Sequence, residues 1–350
     1  MNWRKRIAAA ALCAVLAVCL TAPARGADIA PEAVLADTAQ YVLERTPAPA
    51  VGTVGGEWAV LGLARSGSAL PEGYCEQYYR AVETRAAECG GVLSASKYTE
   101  YARVSLALTA IGKDPRQAGG VNLLAPLGDY RRVVRQGVNG AAWALIALDA
   151  GGYAVPEAPG AAVQATRQLY VDFLLDAQLP EGGWSLGQTA DPDLTGMALT
   201  ALAPYRDRAA VEQAAEQALE RMSVLQEGSG GFSTAESTAQ MLVALTAWDI
   251  SPEDGRFVKN GHTLLDGLLA YALPGGGFCH TAAQTAPDPM ATEQALYALA
   301  AVCRARAGNT FLYDMTDVRP VPVSMETAAS RAAAWGVRAG LAACLLAARM

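Results

Sequence analysis

Two kinds of helical pattern alternate along this chain. One kind is Ala/Leu-rich and apolar nearly all round: Trp58–Leu63, Tyr101–Leu108, Ala141–Leu148, Asp193–Leu202, Glu236–Leu245 and Thr292–Leu299. The other carries one apolar stripe opposite a charged face. Glu76–Cys89 bears Tyr78, Tyr79, Val82 and Ala86 on its stripe. Ala161–Gln178 bears Val163, Leu169, Phe173 and Leu174, and Asp207–Gln226 bears Val211, Ala214, Ala215, Ala218, Met222 and Leu225. A helix apolar all round is buried between neighbours, whereas a single stripe marks a helix that covers them. The closing leucines, Leu63, Leu108, Leu148, Leu202, Leu245 and Leu299, recur every 40 to 54 residues, which is one helical hairpin each. The pattern predicts an all-α protein of roughly twelve helices, arranged as an (α/α)6 toroid of about six helical hairpin repeats.

A short phrase punctuates the repeat. Gln178 to Trp184 reads Q-x-x-x-G-x-W, Gln226 to Phe232 repeats it with Phe for Trp, and Gly277-Phe278 keeps only its end. Gly183, Gly231 and Gly277 lie 48 and 46 positions apart. Glycine at a helix end allows the left-handed turn that sends the chain inward. The aromatic can then pack between hairpins, and the Gln can bond backbone groups left free at the helix end. A threonine follows at a fixed place, seven residues before the closing leucine: Thr195, Thr238 and Thr292.

This phrase, followed by a Ser/Thr-bearing helix, resembles the QW repeat of the prenyltransferase and squalene-cyclase superfamily over roughly residues 30–305. The resemblance implies the toroid. It leaves the activity open, because members include triterpene cyclases, protein prenyltransferase β subunits and secreted toroids without an assigned reaction. The family's catalytic motifs are missing. The acid D-x-D-D of squalene-type cyclases has as its nearest match Asp191-Pro192-Asp193-Leu194, and the Asp-x-Cys zinc pair of the prenyltransferases does not occur. Cys279 and His280 are adjacent, and His262 is the only other histidine, so three zinc ligands are not in sight.

Composition and the two ends add a compartment. Trp3-Arg4-Lys5-Arg6 precedes an uncharged apolar run from Ile7 to Ala22 with small residues after it, which reads as a signal peptide over 1–26. The expected destination is extracytoplasmic, secreted or at the cell surface. A toroid domain is expected over 28–315, then a Pro-containing spacer and apolar tail over 316–350. The Ala/Leu-rich stretch 332–348 is a candidate membrane anchor, although Arg338 near its middle costs about 2.5–3.5 kcal/mol to insert. Export permits disulfides. Cys75 and Cys89 flank one predicted helix, which would hold them roughly 20 Å apart, so a bridge would require that helix to break. A net charge of −7 without a basic stripe argues against a nucleic-acid partner.

Candidate chemistry lies between each Gly-Gly-aromatic and the helix after it. Repeat phase places Glu57, Tyr98, Glu100, Asn139, Asp191, Asp193, Thr195, Glu236, Thr238, His280, Asp288, Thr292 and Glu293 around the rim of a central cavity. Acidic residues at helix starts also suit capping and the helix dipole. As a set they predict a negative mouth suited to polar or cationic ligands. No His-Glu-x-x-His or phosphate loop is present, and no metal or cofactor is expected. The favoured expectation is a non-catalytic binder of a small molecule, glycan or surface partner. An enzyme, terpenoid- or glycan-directed, is the alternative, and a structural surface module is the third.

Overall fold

A computed structural model describes residues 30–52 and 54–321 of the chain. The expected leader, the candidate anchor at 332–348 and Cys344 lie outside these residues. Among the described residues no helix is long and apolar enough to cross a membrane.

The protein is all-helical, with twelve α-helices and no strand among the described residues. The first six are α1 (Pro31–Arg45), α2 (Glu57–Arg65), α3 (Tyr74–Glu88), α4 (Thr99–Ala110), α5 (Tyr130–Val133) and α6 (Val138–Ala150). The second six are α7 (Arg167–Asp176), α8 (Pro192–Leu202), α9 (Ala209–Leu225), α10 (Ala235–Ala247), α11 (Leu264–Leu269) and α12 (Pro289–Arg306). The even-numbered helices are the small-residue ones. All six closing leucines are completely buried, and every residue of α10 is at least nine-tenths buried. Each even helix packs on the next, α2 on α4 through α10 on α12, and α12 packs back on α2. The odd helices lie against this set: α1 on α2 and α12, α7 on α6, α9 on α8, α11 on α10.

The repeated phrase builds the same turn three times. Leu179, Glu227 and Leu273 donate their N–H groups to the carbonyls of Gly183, Gly231 and Gly277. The left-handed residue common to all three is the first glycine of each pair, Gly182, Gly230 and Gly276. A Cβ there would strike the backbone of a neighbouring odd helix or its cap, at Gln217, Thr263 and Asp37 respectively. The aligned threonine then accepts from the aromatic N–H: Thr195 from Trp184 at 2.9 Å, Thr238 from Phe232 at 3.0 Å, Thr292 from Phe278 at 2.9 Å. The second glycine leaves room for that hydroxyl at Gly183 and Gly231.

Three details depart from the sequence pattern. The glutamines bond neighbouring backbone rather than their own helix ends alone: Gln178 donates to the Ala214 carbonyl of α9, and Gln226 to those of Gly230 and Phe257. Helix α7 starts at Arg167 rather than at 161, because Tyr130 and Ala165 bond across between 128–130 and 163–165, and Thr166 then caps the helix. Helix α3 is unbroken, so Cys75 and Cys89 stand as free thiols at its opposite ends.

After α12 the chain crosses the C-terminal ends of the even helices. Buried Arg65, at the end of α2, holds it through the carbonyls of Leu312 and Asp314 and the carboxylate of Asp317. Met315 donates to Ala150 of α6, and Val321 to Gly112 just after α4. Tyr313 packs edge-on against Trp143 at 5.9 Å. The segment thus covers one end of the helix set and leaves the N-terminal ends as the other.

Candidate functional site

The N-terminal ends of the even helices gather most of the expected rim residues, but not for one purpose. Asp191 and Asp288 are N-caps, accepting from Leu194 and Ala291 at 2.9 Å. Thr195, Thr238 and Thr292 are buried in the turns just described. Tyr98 is buried before α4, with its hydroxyl 3.3 Å from an Arg132 guanidinium nitrogen. Glu100 and Asn139 stand half-buried in the first turns of α4 and α6. The remaining acids fall into two clusters.

The first cluster joins the beginning of the chain to its last helix. Glu57 of α2 accepts from the Gly52 N–H at 2.7 Å and from Arg103 Nε of α4 at 2.9 Å. Glu293 of α12 accepts from the Gly55 N–H at 2.5 Å through Oε1, while its Oε2 is buried without a partner. Both carboxyls are buried. Burial pushes Glu293 up to about 7, with the nearby Glu57 charge adding to the shift. Burial also raises Glu57, against the pull of Arg103 and of backbone N–H groups.

The second cluster joins α8 to α10. Glu236 Oε2 lies 2.8 Å from His280 Nδ1. Asp193, two residues before the aligned threonine as Glu236 is, has one carboxylate oxygen buried and unpartnered. Burial first, then the charge of Asp191, pushes Asp193 up to about 6, against the downward pull of the Ser237 hydroxyl. The His280 side chain is 43% exposed, so this cluster reaches solvent.

A hydrogen-bonded triangle lies between them. Gln240 donates to the Tyr297 hydroxyl at 2.7 Å and to Gln294 Oε1 at 3.0 Å, and Tyr297 donates to the same Gln294 oxygen at 2.8 Å. Burial holds the Tyr297 hydroxyl well above the usual tyrosine range, and the charges of Asp193, Glu236 and Glu293 all add to that shift. Beside the triangle, Trp58 packs tilted against Trp143 at 4.9 Å and against Tyr297 at 5.8 Å. Trp58 and Trp143 come from α2 and α6, which are not successive even helices, so the middle of the set is filled with aromatic rings.

Repeat phase would have found these residues. Trp58, Arg103, Trp143, Met197, Gln240 and Gln294 each stand five residues before a closing leucine. Trp58, Arg103, Met197 and Gln294 are half-buried, each between buried neighbours on its own helix. A large or polar residue at one fixed place in otherwise Ala/Leu-rich helices is the sequence signal that the acidic residues overshadowed.

Among the described residues no three His, Cys, Asp or Glu side chains converge as a metal-binding group. No protein-family model matches the chain, and no curated protein matches it.

Proposed function

We propose that the six hairpins close into an (α/α)6 toroid of the prenyltransferase/squalene-cyclase repeat type. On this reading the exported chain binds a cationic or polyhydroxy ligand at the acidic mouth formed by the N-terminal ends of its even helices. The return of α12 onto α2, and of Gly276 onto α1, supports ring closure. The single observation that carries the binding reading is the unpartnered oxygen of Asp193, next to the Glu236–His280 pair at a solvent-reaching edge. A buried acceptor without a donor is costly, and a ligand hydroxyl or ammonium would satisfy it. The aromatic filling of the centre supports a ligand held at the mouth rather than in a deep apolar pit.

The test is a thermal-shift screen of the native protein and the Asp193→Asn/Glu236→Gln double variant against glycan, polyamine, terpenoid and peptide sets. Binding at the mouth predicts stabilisation of the native protein by glycans or polyamines, with at least about 1.5 kcal/mol of binding lost per charge-assisted bond removed. Identical responses of both proteins to every ligand would sink the reading.

A glycan-cleaving activity is the second reading. It is favoured by Asp193 being held near 6 close to a second carboxylate, Glu236, the arrangement of a general acid and its partner. Release of reducing ends from oligosaccharides, abolished by Asp193→Asn, would establish it. Absence of turnover with ligand binding retained returns the site to the binding reading.

A further inference from the structure

We propose an anion-binding cleft between the starts of α4 and α6, which takes a small polar molecule carrying a phosphate group. It is separate from the Asp193–Glu236 cluster of α8 and α10 and independent of the function proposed for that cluster. The turn before α4 and the segment 132–135 before α6 flank a cleft of about 480 Å3, lined by Ala95, Ser96, Tyr98, Arg132 and Arg135. That volume lies within the range of small-molecule sites. An inorganic ion would leave most of it to water, so the anion is expected on a larger body.

The donors in this lining are open to solvent and mostly unspent. Arg135 is exposed, and among the described residues its guanidinium has no ion pair or hydrogen bond. The Arg132 side chain is 61% exposed. Its Nη1 donates to the Tyr98 hydroxyl at 3.3 Å, and its Nε lies 3.4 Å from Asp129 Oδ2. Buried Tyr98 thus holds Arg132 in place, while a guanidinium with five N–H groups keeps donors to spare. The Ser96 hydroxyl is exposed and unbonded. No carboxylate lines the cleft, in a chain whose net charge is −7. Lys97 and Arg131, next in sequence to lining residues, are exposed without side-chain partners and add to the local positive potential.

That lining selects its occupant by charge and by donor count. Two guanidiniums and a hydroxyl repel a cation and give a neutral molecule no charge-assisted bond. A carboxylate is satisfied by one guanidinium fork. A phosphate monoester carries nearly two charges and three strong acceptor oxygens, enough for Arg132, Arg135 and Ser96 together. Ala95 is the one aliphatic lining residue, so the body attached to the phosphate is polar, of the kind of a sugar, rather than a lipid tail.

The probe is glucose 6-phosphate, set against glucose and glucuronate, titrated calorimetrically into the native protein at about 0.15 M salt, where surface charges are screened beyond about 8 Å. Saturable binding of the phosphate is expected, with glucuronate at least about threefold weaker and glucose silent. Arg135→Gln should weaken the phosphate about tenfold. Arg131→Gln removes the same charge from the same segment outside the lining and should cost less than about twofold. Asp193→Asn should leave binding unchanged. Ser96→Ala, an exposed truncation, should cost about threefold and serves if Arg135→Gln does not fold. Vesicles of phosphatidylcholine, with and without phosphatidic acid, distinguish the source of the phosphate, and neither should pellet the protein. Pelleting by phosphatidic acid, lost in Arg135→Gln, would overturn the soluble ester in favour of a lipid headgroup. The site itself is overturned by the absence of saturable glucose 6-phosphate binding, by equal binding of glucose or glucuronate, or by equal losses in Arg135→Gln and Arg131→Gln.

Discussion

The two carboxylate clusters occupy the same end of the same kind of helix and have been put to opposite uses. Glu57 and Glu293 are turned into the fold, where Arg103 and the N–H groups of Gly52 and Gly55 hold them. They fasten the segment before α2 to the last even helix. Asp193 and Glu236 keep an unpartnered oxygen and an exposed histidine. The difference comes from one helical step: Glu57 and Glu293 stand six residues before their closing leucines, Asp193 and Glu236 nine. Three residues along a helix is close to a full turn, so measured from the closing leucines the outer pair stands about one turn farther out toward the mouth. An acid in a repeat is a fastener or a ligand group according to its depth.

Breaking the inner cluster should have the largest effect. Arg103→Met leaves Glu57 buried beside Glu293 without a cation. Removing one partner of a buried pair costs about 3–5 kcal/mol, and the partial exposure of Arg103 puts the expected loss near the lower end, about 3 kcal/mol. Urea denaturation at pH 7 measures it. A loss below about 1 kcal/mol would mean that the pair does not fasten the ends.

The Glu293 carboxyl should give the next largest signal, as a pH dependence. Its folded value, about 7, lies above the ordinary 4.5. Its contribution to stability is therefore complete below about pH 4.5 and is lost as pH rises through 7. The native protein should lose on the order of 3 kcal/mol relative to Glu293→Gln between pH 4 and pH 8.5. Parallel stability curves for the two proteins would remove Glu293 as a titrating group.

Asp193 sharpens the contrast. It has the same sign and a lower window, between the ordinary 3.8 and about 6, and its half-exposure reduces the effect. Asp193→Asn should flatten the stability curve across that window by roughly 1–2 kcal/mol. The smallest effect belongs to His280→Gln. The pair is open to solvent through the 43%-exposed histidine, and such pairs contribute about 0–1 kcal/mol, so stability should barely move while ligand affinity at the mouth falls. A loss as large as that of Arg103→Met would show that both clusters are fasteners.

Much of this was readable in the residues. Ala/Leu-rich stretches closed by Leu63, Leu108, Leu148, Leu202, Leu245 and Leu299 marked six buried helices, because a helix without a polar face has to be surrounded. Thr195, Thr238 and Thr292 kept one phase, although their partner in each case, the N–H of the preceding aromatic, emerges only from the folded turn. Glu57, Asp193, Glu236, His280 and Glu293 were all expected around the rim of a central cavity. Their division into two clusters was not, since it depends on which neighbouring helix supplies a cation or an N–H group.

The sequence alone determined the helical class, the alternation of buried and covering helices, and the acidic character of the helix starts, because each follows from local periodicity and residue type. Tertiary structure decided the rest. It brought Arg103 to Glu57 and Gly55 to Glu293, packed Trp58 against Trp143, and laid the segment after α12 across the far helix ends. These contacts join residues 40 to 250 positions apart, roughly, and their energies depend on distance and burial in the folded chain, which no local pattern encodes.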